Sequence, residues 1–219
     1  MKQISIKVPQ KKETAPVPAG LHPFVLYGCY HVGVIPSKGG FDAKDTVILA
    51  FELPEVEPLK YKEEDGTMTL KPRIMSKRFN LSFHEKSTLR LQLESWRGRA
   101  FTDEEMKSFE LQKLLGASGQ LQVMHQNREG KTYASVTNLL PAPKGTKYKG
   151  TLAQQLFSIH ALDHAEELNQ LDLPEWIEDL IKSSEDYQDL VRSGGRRQQE
   201  EVVNNQQENA ASNEDDIPF

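Results

Sequence analysis

A single cysteine in 219 residues, Cys29, leaves no room for an internal disulfide framework or a zinc site built from cysteines. No apolar run approaches the ~20 residues that a membrane-crossing helix needs. The opening Met1-Lys2-Gln3-Ile4 lacks the pattern of a secretory signal, so a cytoplasmic protein with no membrane partner is expected. Aromatics make up 8% and apolar residues 37%, which predicts a modest core beside much polar chain. Converging carboxylates are also missing. Glu52, Glu85, Glu94, Asp103 and Glu105 are scattered over different expected elements, whereas a two-metal site needs several at one point. Gly130-Lys131-Thr132 lacks the upstream glycine of a phosphate loop and precedes a strand instead of a helix. His84 and His125 stand alone. No catalytic residue, metal or cofactor is therefore expected, and a nuclease is the weakest reading.

What the chain does have is charge, unevenly placed. Residues 1–149 hold 23 Lys+Arg against 16 Asp+Glu, whereas residues 150–219 hold 4 against 16. The net charge of −5 thus hides a basic body and an acidic tail. That layout suits a nucleic-acid binder that also recruits a protein.

Residues 1–20 show no apolar periodicity and read as a flexible arm. The body, 21–149, reads as strands over 24–34, 46–53 and 73–83, then helices over 85–97 and 103–115, then strands over 120–126 and 132–140. In the third strand Met75, Phe79, Leu81 and Phe83 share one face and Ser76, Arg78, Asn80 and Ser82 the other. Residues 55–72 form a long loop or a small hairpin. Trp96 falls on the apolar face of the first helix, and Thr102 caps the second. Three strands, a helical connector, then two strands is the element order of an OB-fold, the five-stranded barrel that binds oligonucleotides. The expected class is therefore mainly β with helices, OB-fold-like. Residues 150–192 read as a linker followed by one amphipathic helix over 172–191, and 193–219 as a disordered acidic tail.

Single strands are held by a basic groove along the phosphates and by aromatic faces under the bases. Residues 73–149 supply 14 Lys+Arg against 7 acids. From these come the candidate DNA contacts Lys77, Arg78, Arg97, Arg99, Arg128 and Lys131. Tyr133 joins them because it falls opposite the Ala134/Val136 core face and so points outward. Arg97 and Arg99 flank Gly98, a spacing that allows close approach to phosphates.

The chain closes with Asp215-Asp216-Ile217-Pro218-Phe219. An apolar ring beside a terminal carboxylate, preceded by acids, is a compact ligand for a basic-rimmed apolar pocket. This ending resembles the C-terminal tip of bacterial single-stranded DNA-binding proteins, which implies that these five residues recruit replication and repair enzymes. A second resemblance runs through the body. Leu89–Glu105 with its Trp96-Arg97-Gly98-Arg99 block, Phe109–Gly116, Val123–Val136 with Gly130-Lys131-Thr132-Tyr133, Leu140–Gly145 and Leu173–Gln188 are similar to a family of small bacteriophage-encoded single-stranded DNA-binding or replication accessory proteins. The expectation is a non-catalytic protein that coats single-stranded DNA and brings host or phage enzymes to it, with a homo-oligomer left open. A recombination mediator or strand-annealing protein shares the same features and is the main alternative. A pure interaction protein acting through the tip would need no DNA affinity.

Overall fold

A computed structural model describes residues 15–37, 42–63 and 65–195. The chain is mainly β with a few helices. The long strands are β1 (Gly20–Ile35), β2 (Lys44–Leu53), β5 (Arg73–Asn80), β6 (Ser118–Arg128) and β7 (Lys131–Pro141). They form one antiparallel sheet in the order β5-β2-β1-β6-β7. A short hairpin, β3 (Leu59–Lys62) and β4 (Met68–Lys71), fills the connection between β2 and β5, as one of the two expected alternatives for 55–72.

A sixth strand, β8 (Gln155–Ser158), joins the same sheet, pairing parallel to β1 from Gly28 to His31. The five-stranded barrel of the sequence reading is thus a six-stranded sheet, and no ladder joins β5 to β7, so the barrel is not closed. β6 pairs with β1 only over Gly20–Val25. The later half of that β1 edge is left for β8. Residues 155–158, within the stretch expected as a linker, therefore belong to the sheet. Four residues of strand pattern carry too little periodicity to reveal this.

The sheet separates two cores. Inside its curve lie Phe24, Leu26, Leu49, Phe51, Phe79, Leu121, Val123 and Leu139, closed at one end by Leu89, Leu93 and Trp96 of α1 (Thr88–Arg97). Phe24 packs edge-on against both Phe51 and Trp96, at 4.8 and 5.0 Å between ring centres. The indole nitrogen of Trp96 donates to the Ser118 carbonyl at 3.1 Å. Gly119 lies so close beneath that a Cβ there would meet Trp96, Leu140 and Phe24 within 2.9 Å. The second core covers the other face of β1 and β2, where Tyr30, Val32, Ile48 and Ala50 meet Phe157, Leu168, Ile177, Ile181 and Leu190. β1 and β2 are buried on both faces, which is why they read as near-continuous apolar runs. Cys29 lies in the first core, and burial pushes its thiol pKa up to about 11.

Three elements end differently from the sequence reading. The third strand stops at Asn80, so that Phe83 turns back to pack on Phe101 and Phe109. The second helix, α2 (Asp103–Lys107), lasts five residues and is followed by a 3-10 turn, Leu111–Leu114. The single helix expected over 172–191 is two: α3 (Glu175–Lys182) and α4 (Glu185–Ser193). The break falls at Ser184, whose buried hydroxyl donates to the Ile181 carbonyl at 2.7 Å and accepts the Tyr187 N–H at 3.2 Å, capping a new helix. Asp172, where that single helix was expected to begin, lies outside α3, whose first turn follows Pro174. No helix among the described residues is long and apolar enough to cross a membrane.

Candidate nucleic-acid interface

With α3 and α4 over the outer face of β1 and β2, the open outward sheet face is that of β6 and β7. Register defines it. Val123 and Val136 pair facing the core, so their neighbours Gln122, Met124 and Gln126 on β6 and Tyr133 and Ser135 on β7 face out. Tyr133 is 52% exposed, opposite Gln126, and Met124 is 51% exposed two pairs along. Leu21 of β1, opposite Gln122, continues the surface at 53% exposure. The outward placement expected for Tyr133 is the placement found.

From Gln126 and Tyr133 outward the β6–β7 pair leaves the body as an arm whose residues are all exposed. Arg128 pairs with Lys131, leaving Glu129 and Gly130 as a two-residue loop with φ of 50° and 75°. Two consecutive left-handed residues give the tight hairpin turn that matches strand twist, and glycine takes such a φ without penalty. Arg128 and Lys131 thus sit at the tip of the arm, with Tyr133 on its outer face. Arg128 also reaches the side-chain oxygen of Gln126 at 3.0 Å.

The β3–β4 hairpin leaves the same end of the sheet, because β2 runs out where β1 begins. It carries Lys60, Lys62 and Lys71, with the Lys71 ammonium 4.7 Å from the centre of the Tyr61 ring. Residues 15–18 join the bases of the two hairpins: Arg73 donates to the Ala15 carbonyl at 2.6 Å, and His125 contacts the Val17 carbonyl at 2.8 Å. Val17 is buried, so the described part of the arm expected over 1–20, residues 15–20, packs against the body. Tyr61 was not among the expected contacts. An aromatic two residues before an acidic turn was the available signal, and the charge of that loop masked it.

The other candidates fare differently. Lys77 points inward, with Met75 and Phe79, and its ammonium donates to the carbonyls of Val136 and Thr137 at 2.8 and 2.9 Å. Burial pulls its pKa below the ordinary lysine value. The alternation that placed Met75 and Phe79 inward already placed Lys77 with them. Arg78 points outward and lines a groove with Ile48, Trp176, Asp179 and Leu180. Arg97 and Arg99 converge on one carboxylate, that of Glu105. Arg97 donates to it at 2.6 Å, Arg99 adds a second guanidinium at 3.1 Å, and the Thr102 N–H binds the same group at 3.1 Å. Those donors, Arg99 first, hold the Glu105 pKa down to about 2. Arg97 also lies flat on Phe101, 4.0 Å from the ring centre. The pair flanking Gly98 therefore locks α1 to α2 and leaves one net positive charge there. Asp215, Asp216, Ile217, Pro218 and Phe219 lie outside the described residues.

One cluster has the residue types of a hydrolytic triad. The His31 ring meets Asp45 at 2.7 Å through Nε2 and Ser158 at 3.0 Å through Nδ1. The Ser158 hydroxyl also accepts the His160 N–H at 3.3 Å, capping the 3-10 turn Ile159–Ala161. The three residues come from β1, β2 and β8 and tie those strands together at their common end. Among the described residues no group of three or more His, Cys, Asp or Glu is placed to hold a metal ion. No protein-family model matches the chain, and no curated protein matches it.

Proposed function

We propose that this chain is a non-catalytic single-stranded DNA-binding protein, built on an OB-type barrel, that coats exposed strands and brings replication, recombination or repair enzymes to them. Tyr133 carries the DNA half of this reading. A half-exposed ring on an uncharged outward sheet face, beside a tip bearing Arg128 and Lys131, is the combination a single strand needs: a stacking platform and phosphate partners. Duplex DNA buries its base faces and has little use for it.

The OB-type assignment is supported by connectivity. Taking the long strands in chain order, the third lies beside the second, the second beside the first, and the first beside the fourth, with α1 between the third and fourth. Lys77 bridges the third and fifth. In OB barrels the hairpin between the fourth and fifth strands takes part in oligonucleotide binding, and that hairpin is the exposed arm here. The recruiting half rests on Asp215–Phe219 and its resemblance to the bacterial tip, and the motifs of the body support a phage origin.

The test is binding to oligo-dT and to a duplex of equal length as salt is raised. Single strand is expected to win clearly, with log affinity falling by ~0.7 per phosphate neutralised for each unit of log salt. No binding at low salt, or equal preference for duplex, sinks the DNA reading. Removing Ile217–Phe219 should abolish capture of replication or repair enzymes while oligo-dT affinity holds or rises. Unchanged capture would end the recruiting half.

A further inference from the structure

Residues 142–152 carry Lys144, Lys147 and Lys149 and no acid. A connection of this kind, between β7 and β8, is ordinarily the most mobile part of a fold. This one is pinned at two places. The Tyr148 N–H reaches the Ser118 hydroxyl at 3.4 Å, on the outward side of the first residue of β6. Three residues later the Glu52 carboxylate accepts the Thr151 N–H at 2.8 Å, the Thr151 hydroxyl at 2.7 Å and the Leu152 N–H at 2.9 Å. Glu52 is 1% exposed. A carboxylate so buried is tolerated only when hydrogen bonds replace its water, and here three donors from two successive residues do so. Gly150 packs so tightly that a Cβ would stand 2.5 Å from a Glu52 oxygen. The result is a strap of fixed backbone with exposed Lys147 and Lys149 on either side of half-buried Tyr148.

The strap and the arm occupy opposite ends of one surface. Ser118 and Arg128 are the first and last residues of β6, so about 33 Å of strand separates them. Between them the outward positions are Gln120, Gln122, Met124 and Gln126, none of them charged. We propose that the strap is a second contact site for single-stranded DNA. Lys147 and Lys149 neutralise two backbone phosphates, and the strand runs from them along the outward face of β6 to Arg128 and Lys131. This rests on the DNA-binding reading above and gives it a path. The phosphate contacts are concentrated at the two ends, and the middle of the path is read by stacking and amide groups.

The experiment compares the full chain with the double variant Lys147→Gln/Lys149→Gln in oligo-dT titrations over a range of salt. A second double variant, Lys107→Gln/Lys113→Gln, removes the same charge from the α2 side. The strap variant should lower the magnitude of the log–log salt slope by about 1.4, two phosphates at about 0.7 each. The control should leave the slope where it was, and neither pair should shift the unfolding midpoint. An unchanged slope in the strap variant, with the parent still binding, overturns the strap site and spares the DNA reading. An equal drop in both variants also overturns it, since the effect is then one of net charge. A parent chain that does not bind oligo-dT overturns both proposals together.

Discussion

The ammonium of Lys77 lies 2.8 Å from the carbonyl oxygen of Val136, across the gap between the two outer strands of the sheet. One side chain thus spans a seam that no ladder closes, and it also takes the Thr137 carbonyl at 2.9 Å. Hydrogen bonds to a charged donor contribute roughly 1.5–3 kcal/mol, and losing the donor leaves its acceptors unpaired. Lys77→Met should lower the unfolding free energy in urea by about 3 kcal/mol. Its salt slope for oligo-dT should match that of the parent chain, because Lys77 does not face a phosphate. A shallower slope would return Lys77 to the DNA contacts.

Tyr133→Ala should weaken oligo-dT binding about 5- to 150-fold, the range for one stacked base at ~1–3 kcal/mol. The ring is half exposed, so the thermal midpoint should barely move. Tyr133→Trp should keep or improve affinity, because stacking needs only an aromatic face. If alanine binds as well as tyrosine, the outward face of β6 and β7 is not the platform.

Glu105 predicts a pH effect. Its pKa in the fold is about 2 against an ordinary 4.5. The unfolded chain therefore takes up the proton first, and the stabilisation is complete above pH 4.5 and lost as pH falls towards 2. Urea unfolding followed through that window should show a smaller decline for Glu105→Gln than for the parent chain. Equal declines would mean that Arg97 and Arg99 do not hold this carboxylate in solution.

Glu52→Gln places an amide N–H₂ where two backbone donors converge. It should cost about 2–3 kcal/mol in unfolding free energy, the scale of a lost charge-assisted hydrogen bond in a buried site. It should also speed tryptic cleavage after Lys147 and Lys149, read by mass spectrometry under native conditions. Protection equal to that of the parent chain would show that the strap is held by something other than Glu52.

Much of the architecture was legible because it is local. The period-2 alternation of Arg73–Asn80, the cap at Thr102, the Trp96 face of α1 and the turn at Glu129-Gly130 each depend on residues a few positions apart. The outward placement of Tyr133 followed from the same alternation. Arg97 and Arg99 stand in the sequence as candidate DNA contacts because their partner, Glu105, is brought to them by the turn through Phe101 and Thr102, which periodicity does not describe. Lys77 was legible in principle, since alternation put it inside. Its charge argued for the surface, and only the two carbonyls of β7 explain how a lysine is tolerated there.

The sequence by itself determined the mainly-β class, the order of the long strands with a helix between the third and fourth, and the split into a basic body and an acidic tail. These follow from side-chain periodicity and from counting charge, which need no partner in space. Tertiary structure alone decided which cations are engaged and which face of the sheet stays open. It added β8 to the edge of β1 that β6 leaves empty, and it laid α3 and α4 over β1 and β2. It also bent residues 142–152 onto Ser118 and Glu52. These contacts join residues between 30 and 152 positions apart. Such contacts form only once burial has fixed the chain around them, and no local pattern records them.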